Sequence, residues 1–211
     1  MRPRALSLLV VFFLTVPMAE GLAAPASDPA AFVDQLIHQD LLSLSDTQLS
    51  DQEREQRFAA ILDRDFDLPR IARFVLGPYW NSAAEPDRQD FVNCFKRWTI
   101  HTYSSRFNGY NGNSVKITSA RPESDTMFTV VSQVIFMSGA PPMTLDWRVR
   151  GSKGDGYKVV DVEFAGISLL LVQRAEFGSF IARSGGTIAG LTHALEEKIA
   201  TGNTGGAILT H

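Results

Sequence analysis

The segment from Arg73 to Tyr110 limits the possible folds more than any other part of the chain. It is dense in phenylalanine, tyrosine and tryptophan, yet it contains one cysteine, one histidine and three carboxylates. Large rings stabilise a fold by about 25 cal/mol for each Å² of apolar surface that they remove from water. The same composition offers little for proton transfer or metal binding. The segment therefore predicts either a helix of the hydrophobic core or the wall of an apolar pocket.

The N-terminus has the pattern of a secretory signal peptide. Arg2 and Arg4 precede an apolar run, Ala5 to Met18, and small residues follow it. The run is shorter than the roughly 20 residues that a membrane-spanning helix needs. Residues 1–26 are therefore predicted to be a signal peptide, with cleavage at one of two sites between residues 23 and 26. An uncleaved membrane anchor is the alternative.

The remaining chain has the length of one domain. Residues 27–200 are predicted to form that domain, and the glycine-rich tail 201–211 is predicted to be flexible. The whole sequence carries a net charge of −3. It therefore lacks the excess of basic residues that is typical of nucleic-acid-binding domains. Cys94 is the only cysteine, so an intramolecular disulfide cannot form. The hydrophobic core alone must stabilise the domain.

The first half of the domain has the apolar periodicity and the capping signals of helices. Four helices are predicted, from Asp28 to Ser45, from Ser50 to Asp65, from Asp67 to Gly77 and from Glu85 to about Phe107. Ser50 with Glu53 three residues later forms a capping box. Gly77 is a left-handed terminator, and the following Pro78 cannot continue the helix.

The second half changes to the alternating pattern that is typical of strands. Four strands are predicted at residues 114–120, 127–137, 144–150 and 157–164, followed by helices at residues 168–183 and 187–200. The short, glycine-containing connections imply antiparallel neighbours. The sequence therefore predicts an α+β fold. N-terminal helices and two C-terminal helices pack on a curved, roughly four-stranded antiparallel sheet.

Several motifs occur in order along the domain. They are Leu76-Gly77-Pro78-Tyr79-Trp80, the segment Asp161 to Ser168, the pair Gln173-Arg174, Phe177, and Arg183-Ser184-Gly185-Gly186. Together with the long aromatic helix they resemble the toluene-tolerance/MlaC family of periplasmic phospholipid-binding proteins. The resemblance runs from about Ala31 to Lys198, which is nearly the whole domain. No single motif is diagnostic, and the order and spacing of the set carry the resemblance.

The resemblance implies an NTF2-like/MlaC-like fold, a periplasmic location and a function in lipid transport. Proteins of this family shuttle phospholipid between an outer-membrane lipoprotein complex of the MlaA type and an inner-membrane ABC transporter with an MlaD-type component. We therefore expect a monomer that binds phospholipid, needs no cofactor and does not bind nucleic acid. One branch of the family is associated with hopanoid metabolism, and the sequence leaves both branches open.

An acyl-chain pocket needs apolar walls that are free of unpaired charges. Strand alternation and helical spacing select the predicted lipid-binding residues, which are Phe91, Phe95, Trp98, Leu145, Trp147, Val149, Val160, Val162, Phe164, Leu170 and Phe177. Alternation places Tyr157, Val159, Asp161 and Glu163 on the opposite strand face. The alternative is that the selected residues fill a packed core, because patterning does not separate a core from a cavity.

Five arginines are candidates for holding a lipid phosphate or for contacting a transport partner. They are Arg73, Arg97, Arg106, Arg148 and Arg174. The planar guanidinium matches the geometry of phosphate oxygens. Ordinary surface ion pairs are the alternative for each of them.

Catalytic motifs are absent from the sequence. It contains no Gly-x-Ser-x-Gly elbow, no phosphate-binding loop and no His-Glu-x-x-His pair. Cys94 and His101 lie two helical turns apart, about 10 Å by helix rise, which is too far for a thiolate–imidazole pair. Asp161 and Glu163 are expected on a solvated strand face among basic residues. We therefore expect neither enzymatic activity nor a metal site.

Two other functions remain open at this stage. The first is an enzyme that acts on a polycyclic lipid, such as a hopanoid-linked isomerase. That enzyme would need a carboxylic acid or a tyrosine inside the pocket, and Tyr79, Tyr103 and Tyr110 are the tyrosine candidates. The second is an interaction adaptor whose core is filled and which binds no ligand.

Overall fold

A computed structural model describes residues 28–107, 114–152 and 154–202. The predicted signal peptide, Tyr110 and all but the first two residues of the predicted tail lie outside these residues. No helix in the described ranges is long and apolar enough to cross a membrane. The predicted α+β class is confirmed, because helices pack on an antiparallel sheet.

Seven α-helices lie within the described residues: α1 (Pro29–Gln35), α2 (Asp51–Asp65), α3 (Leu68–Leu76), α4 (Pro78–Ser82), α5 (Glu85–Tyr103), α6 (Leu169–Arg183) and α7 (Ile188–Ala200). The capping box predicted for α2 is present, because Ser50 and Glu53 each accept from the other's backbone N–H. Gly77 ends α3 with a φ of 56°. The adjacent Pro78 begins α4, so the chain changes direction at Gly77 and then continues as a new helix.

The segment predicted as a single first helix changes its winding twice. After α1 the chain forms a π-helical turn at Leu36–Leu41 and then a 3₁₀ turn at Leu42–Ser45. A π turn bonds residues five apart. It therefore brings Leu36 and Leu41 to the same buried side of the segment.

A buried arginine holds the loop between this segment and α2. Arg54 is 1% exposed, and its guanidinium donates to the carbonyl oxygens of Leu44, Asp46 and Leu49. The distances to Asp46 and Leu49 are 3.4 and 3.2 Å. A buried cation is tolerated where hydrogen bonds compensate its lost hydration. These bonds hold the 3₁₀ turn, and with it Leu41, beside α2.

The sheet has the strand order β1-β2-β3-β4-β5, and all neighbours are antiparallel. The strands are β1 (Ser114–Ser124), β2 (Met127–Ile135), β3 (Met143–Ser152), β4 (Gly156–Phe164) and β5 (Ile167–Ser168). The four long strands were predicted, and the two-residue β5 adds a short edge. The α2–α3 junction covers part of the free edge of β4, where the N–H of Asp67 donates to the carbonyl of Val159 at 3.0 Å.

A β-bulge in β4 overturns part of the predicted strand faces. The register shifts at Val160, since Val149 pairs with Val159 whereas Trp147 pairs with Val162. Directly opposed residues of antiparallel strands share a face, and an inserted residue displaces the alternation by one. The prediction that Val160 points inward with Val162 is therefore wrong.

The same bulge turns two residues that were expected on the outer face towards the core, and a third such residue, Asp161, is buried for a different reason. Tyr157 and Val159 belong to the hydrophobic core. Asp161 is only 6% exposed because the start of α6 covers it. The predicted solvated carboxylate face is therefore wrong for Asp161.

Buried apolar side chains form two clusters. The sheet cluster joins the N-terminal helices to the inner face of the sheet, and its members include Val33, Leu36, Phe58, Leu62, Val130, Val149 and Val159. The helix cluster joins α3, α5, α6 and α7, and its members include Val75, Phe91, Cys94, Phe95, Phe177, Ile181 and Leu191. Trp98 at the middle of α5 belongs to the helix cluster and lies close to the boundary between the two.

Candidate functional site

An apolar cavity of about 270 Å³ lies where the two clusters meet. The sheet cluster contributes Leu41, Phe58, Leu62, Leu68, Trp147 and Val159 to its wall, and the helix cluster contributes Val75, Phe95 and Trp98. The wall also includes Phe66, Ile71, Thr99, Tyr103, Arg106, Phe107, Asp161, Val162, Leu169, Leu170 and Gln173. Helices α2, α3, α5 and α6 therefore face strands β3 and β4 across it. A mostly apolar wall with a few polar groups is typical of a ligand site.

Five of the predicted lipid-binding residues belong to the cavity wall: Phe95, Trp98, Trp147, Val162 and Leu170. Phe95 and Trp98 stack along α5 with ring centroids 5.9 Å apart. Trp147 donates from Nε1 to the Ser132 hydroxyl at 3.0 Å, which satisfies the polar edge of its indole.

Six other predicted residues lie outside the cavity wall: Phe91, Leu145, Val149, Val160, Phe164 and Phe177. Phe91 and Phe177 pack edge to face at 6.0 Å inside the helix cluster. Val149 is fully buried in the sheet cluster, and Phe164 is 46% exposed at the end of β4. The packing of Phe91, Phe177 and Val149 matches the filled-core alternative.

Val160 lines a second, smaller groove of about 130 Å³. Its other wall residues are Arg70, Ile71, Phe74, Met127, Arg148, Asp161 and Leu170. Ile71, Asp161 and Leu170 also belong to the wall of the main cavity. The groove is more polar than the main cavity because two guanidinium groups border it.

Of the five predicted arginines, Arg106 lines the main cavity. Its guanidinium lies 5.0 Å from the centre of the Tyr103 ring, and its side chain is exposed. Arg148 borders the smaller groove and forms an ion pair with Glu123 at 2.8 Å. That hydrogen bond lowers the pKa of the Glu123 carboxyl.

The other three arginines line neither cavity. Arg97 on α5 forms an ion pair with Glu196 on α7. Arg174 stacks its guanidinium 4.9 Å from the centre of the Phe74 ring. Arg73 is exposed on α3. These residues are therefore better placed to contact a partner than to hold the polar end of a molecule in the main cavity.

Asp161 joins β4 to the start of α6 at the cavity wall. Its Oδ2 accepts from the Ser168 hydroxyl at 2.6 Å. Its Oδ1 accepts from the N–H groups of Val162 at 2.8 Å and Leu170 at 3.2 Å. Ser168 is also the N-cap of α6 and accepts from the N–H of Leu171. A carboxylate at the first turn of a helix is favoured by the unpaired N–H groups there.

We expect the Asp161→Asn variant to lose about 1–3 kcal/mol of unfolding free energy, because an amide nitrogen replaces one of the accepting oxygens in a buried site. Urea denaturation measures the loss. Glu163→Gln, two residues along the same strand, is the matched control and should change stability by less than about 0.5 kcal/mol. Equal stability of the two variants would contradict the capping role.

Comparison with known proteins assigns the chain to a family. The sequence model of the family described as MlaC protein matches residues 34–197, which include every residue of the cavity wall. The chain belongs to the MlaC family. The resemblance inferred from the motifs is confirmed, and the hopanoid-associated branch stays a prediction.

Two known proteins are similar to this chain. The chain is 24% identical over 170 residues to the intermembrane phospholipid transport system binding protein MlaC of Haemophilus influenzae, covering 77% of this chain and 78% of the relative. It also matches the solved structure of the phospholipid-binding protein from Ralstonia solanacearum in complex with a phospholipid. That match has a TM-score of 0.68 at 26% identity and covers 85% of this chain and 99% of the other.

Sequence reasoning missed the contribution of α2 and α3 to the cavity of this MlaC protein. Phe58 and Leu62 of α2 and Ile71 and Val75 of α3 line it. The apolar sides of both helices were visible in the sequence, but helical spacing does not show which apolar side faces a void. Gln173 was part of one of the motifs that carried the family resemblance, but the sequence pattern did not predict that it lines the cavity.

The titratable groups near the cavity are poorly placed for catalysis. Burial raises the pKa of the Cys94 thiol to about 12 and also raises the pKa of Tyr103 on the cavity wall. Burial raises the pKa of Glu176 to about 7, but this residue does not belong to the wall. Asp161 does belong to it, with both oxygens occupied by hydrogen bonds from the protein. Within the described ranges, no group of three or more His, Cys, Asp or Glu could hold a metal ion.

Proposed function

We propose that this MlaC-family protein is a periplasmic phospholipid carrier that holds acyl chains in the main cavity. The observation that carries the proposal is the apolar cavity between the two core clusters. The phospholipid bound to the similar Ralstonia solanacearum protein supports it. The Haemophilus influenzae relative, a binding protein of an intermembrane phospholipid transport system, supports the transport function.

The energetics of lipid transfer require such a cavity. A two-chain lipid has on the order of 30 methylene groups, and each contributes about 0.8 kcal/mol when it is shielded from water. Transfer through water is therefore slow unless a protein covers most of the tails. The volume of the cavity, about 270 Å³, is just below the roughly 300–1,000 Å³ that is typical of small-molecule sites. The cavity must therefore widen when it encloses two full tails.

Arg106 is the proposed contact for the lipid phosphate, because it is the predicted arginine on the cavity wall. Its guanidinium is exposed and forms no ion pair with a carboxylate among the described residues, so it can donate to phosphate oxygens. We expect Arg106→Gln to weaken the binding of a phospholipid by about tenfold, as for a lost charge-assisted hydrogen bond. The affinity for a diacylglycerol with the same tails should be unchanged.

Arg73→Gln is the matched control for the phosphate contact, since Arg73 is exposed on α3 and does not line the cavity. Binding is measured by titration of each purified variant with a fluorescent phospholipid. If Arg73→Gln weakened phospholipid binding as much as Arg106→Gln, the assignment of the phosphate to Arg106 would be wrong.

The proposed partners are the inner-membrane ABC lipid transporter, through an MlaD-type component, and an outer-membrane MlaA-type lipoprotein complex. Arg73, Arg97 and Arg174 are proposed for these contacts, because all three are exposed and lie outside the cavity wall. We propose that the mature protein is a monomer in the periplasm, exported by the signal peptide at residues 1–26. Cell fractionation and N-terminal sequencing test this location, and an intact Met1 on a cytoplasmic protein would contradict it.

The transfer of lipid between membranes tests the carrier function directly. Donor vesicles contain a self-quenched fluorescent phospholipid, and acceptor vesicles of the same unlabelled lipids are separated from them by a dialysis membrane that the protein crosses. We expect fluorescence to rise in the acceptor compartment in proportion to the protein concentration. Chemical change of the lipid without transfer would favour the lipid-modifying enzyme, and neither transfer nor binding would favour the ligand-free adaptor.

A further inference from the structure

Gln173 on α6 is a buried polar residue in an otherwise apolar wall. It is 6% exposed and lines the main cavity. It lies three and four residues after Leu170 and Leu169, which also line the cavity, so the three side chains share one face of the helix. A glutamine at such a position needs hydrogen-bond partners, because burying an amide without them is costly.

Three other polar groups on the wall, those of Thr99, Trp147 and Asp161, find their partners within the protein. The Thr99 hydroxyl donates to the carbonyl of Phe95 at 2.8 Å. Trp147 donates to Ser132, and both carboxylate oxygens of Asp161 accept hydrogen bonds. These groups are therefore satisfied before any ligand enters.

The side-chain nitrogen of Gln173 has no such partner. Among the described residues, three buried side-chain nitrogen atoms lack a hydrogen bond: Nε of Arg54, Nε2 of His101 and Nε2 of Gln173. Of these three residues, only Gln173 belongs to the cavity wall. An unsatisfied buried donor destabilises the ligand-free state, and a molecule that brings an acceptor oxygen relieves that cost on binding.

We propose that Gln173 is a polar subsite that donates a hydrogen bond to the ester carbonyl of an acyl chain, and that it makes the protein select ester-linked over ether-linked lipids. This inference rests on the proposed lipid-binding function. The hydrocarbon of the tails offers no acceptor. The ester carbonyl is the first acceptor that follows the tail, and the ether-linked analogue replaces it with a methylene group.

The same contact would set how far the lipid inserts. With the ester beside Gln173, the tail beyond it occupies the apolar part of the cavity, and the polar end of the lipid is directed out of it. A donor placed among leucines is selective because a site built to hydrogen-bond one group rejects an analogue that lacks it.

Binding of two matched lipids tests the proposal. The purified delipidated protein is titrated with dioleoyl phosphatidylglycerol and with the dialkyl ether lipid of the same headgroup and chain length. We expect the wild-type protein to bind the ester lipid about three- to tenfold more tightly, as for one neutral hydrogen bond. Gln173→Met keeps an unbranched side chain of similar length, and it should bind both lipids equally, at the affinity that the wild type has for the ether lipid.

Thermal unfolding of the delipidated proteins separates a ligand contact from a structural role. Removal of an unsatisfied donor should leave the melting temperature of Gln173→Met equal to that of the wild type or higher, although its affinity for the ester lipid falls. Gln173→Leu provides a second apolar variant with the same expected pattern if Gln173→Met folds poorly. Loss of stability in both variants would indicate a structural glutamine and overturn the proposal.

The binding results also distinguish a failure of the ester subsite from a failure of the proposed carrier function. If the wild-type protein bound the ester and ether lipids equally and tightly, the ester subsite would be wrong while the lipid carrier stood. If it bound neither lipid, the proposed function and the subsite would both be wrong.

Discussion

Val162→Trp should remove bound lipid from the protein without unfolding it. Val162 lines the cavity from β4, and its cross-strand neighbour Trp147 lines it from β3. An indole at residue 162 would occupy volume that the tails require. Exclusion of only two methylene groups costs about 1.6 kcal/mol, which corresponds to roughly a fifteenfold loss of affinity. We therefore expect the phospholipid that copurifies with the variant to fall about tenfold or more.

The stability of the delipidated Val162→Trp variant decides whether residue 162 faces a void. We expect its melting temperature to change by no more than about 2 °C, which corresponds to under about 1 kcal/mol for a domain of this size. Val149→Trp is the matched control, because Val149 points to the same sheet face but is fully buried in the sheet cluster. Overpacking there should cost about 1–3 kcal/mol. A destabilised Val162→Trp variant with its full lipid complement would contradict the cavity.

Phe91→Ala should have the opposite effect, a large loss of stability with little change in bound lipid. Phe91 is 0% exposed, lies 5.6 Å from Phe95 between ring centroids, and contacts Phe177 edge to face. It does not line the cavity. Truncation of a buried phenylalanine leaves a void that typically costs about 3–5 kcal/mol. Chemical denaturation measures this loss.

Extraction of lipid from the folded fraction of Phe91→Ala completes the test. We expect the molar ratio of phospholipid to protein to equal that of the wild type, because Phe91 packs in the helix cluster and does not line the cavity. A normal melting temperature combined with a loss of lipid would place Phe91 in the lipid site. It would also restore the sequence-based assignment that the packing argues against.

Local signals in the sequence were sufficient to predict much of the fold. The capping pair Ser50 and Glu53 starts α2, and Gly77 ends α3. These features depend on neighbours within a few residues, so they can be predicted from the pattern. The alternation in β3 likewise placed Trp147 on the inner face correctly. The predicted α+β class followed from the order of such elements, whereas the predicted family came from the resemblance of the ordered motifs to a known family.

The sequence-based predictions that were wrong depend on contacts between residues that are distant along the chain. The bulge at Val160 depends on the pairing of β4 with β3, and no residue in the sequence marks it. Asp161 was assigned to solvent because its hydrogen bonds to Ser168 and Leu170 exist only after α6 packs on the strand. The cavity itself results from the imperfect meeting of two clusters, and spacing along one helix cannot predict a void between several.

Native mass spectrometry of the wild-type protein, purified from a periplasmic extract without detergent, is the most direct measurement of the central claim. We expect a species heavier than the mature chain by the mass of one phospholipid, and we expect solvent extraction to recover that lipid chemically unchanged. A protein that always has the mass of the unliganded chain, and that takes up no phospholipid from vesicles, would contradict the carrier.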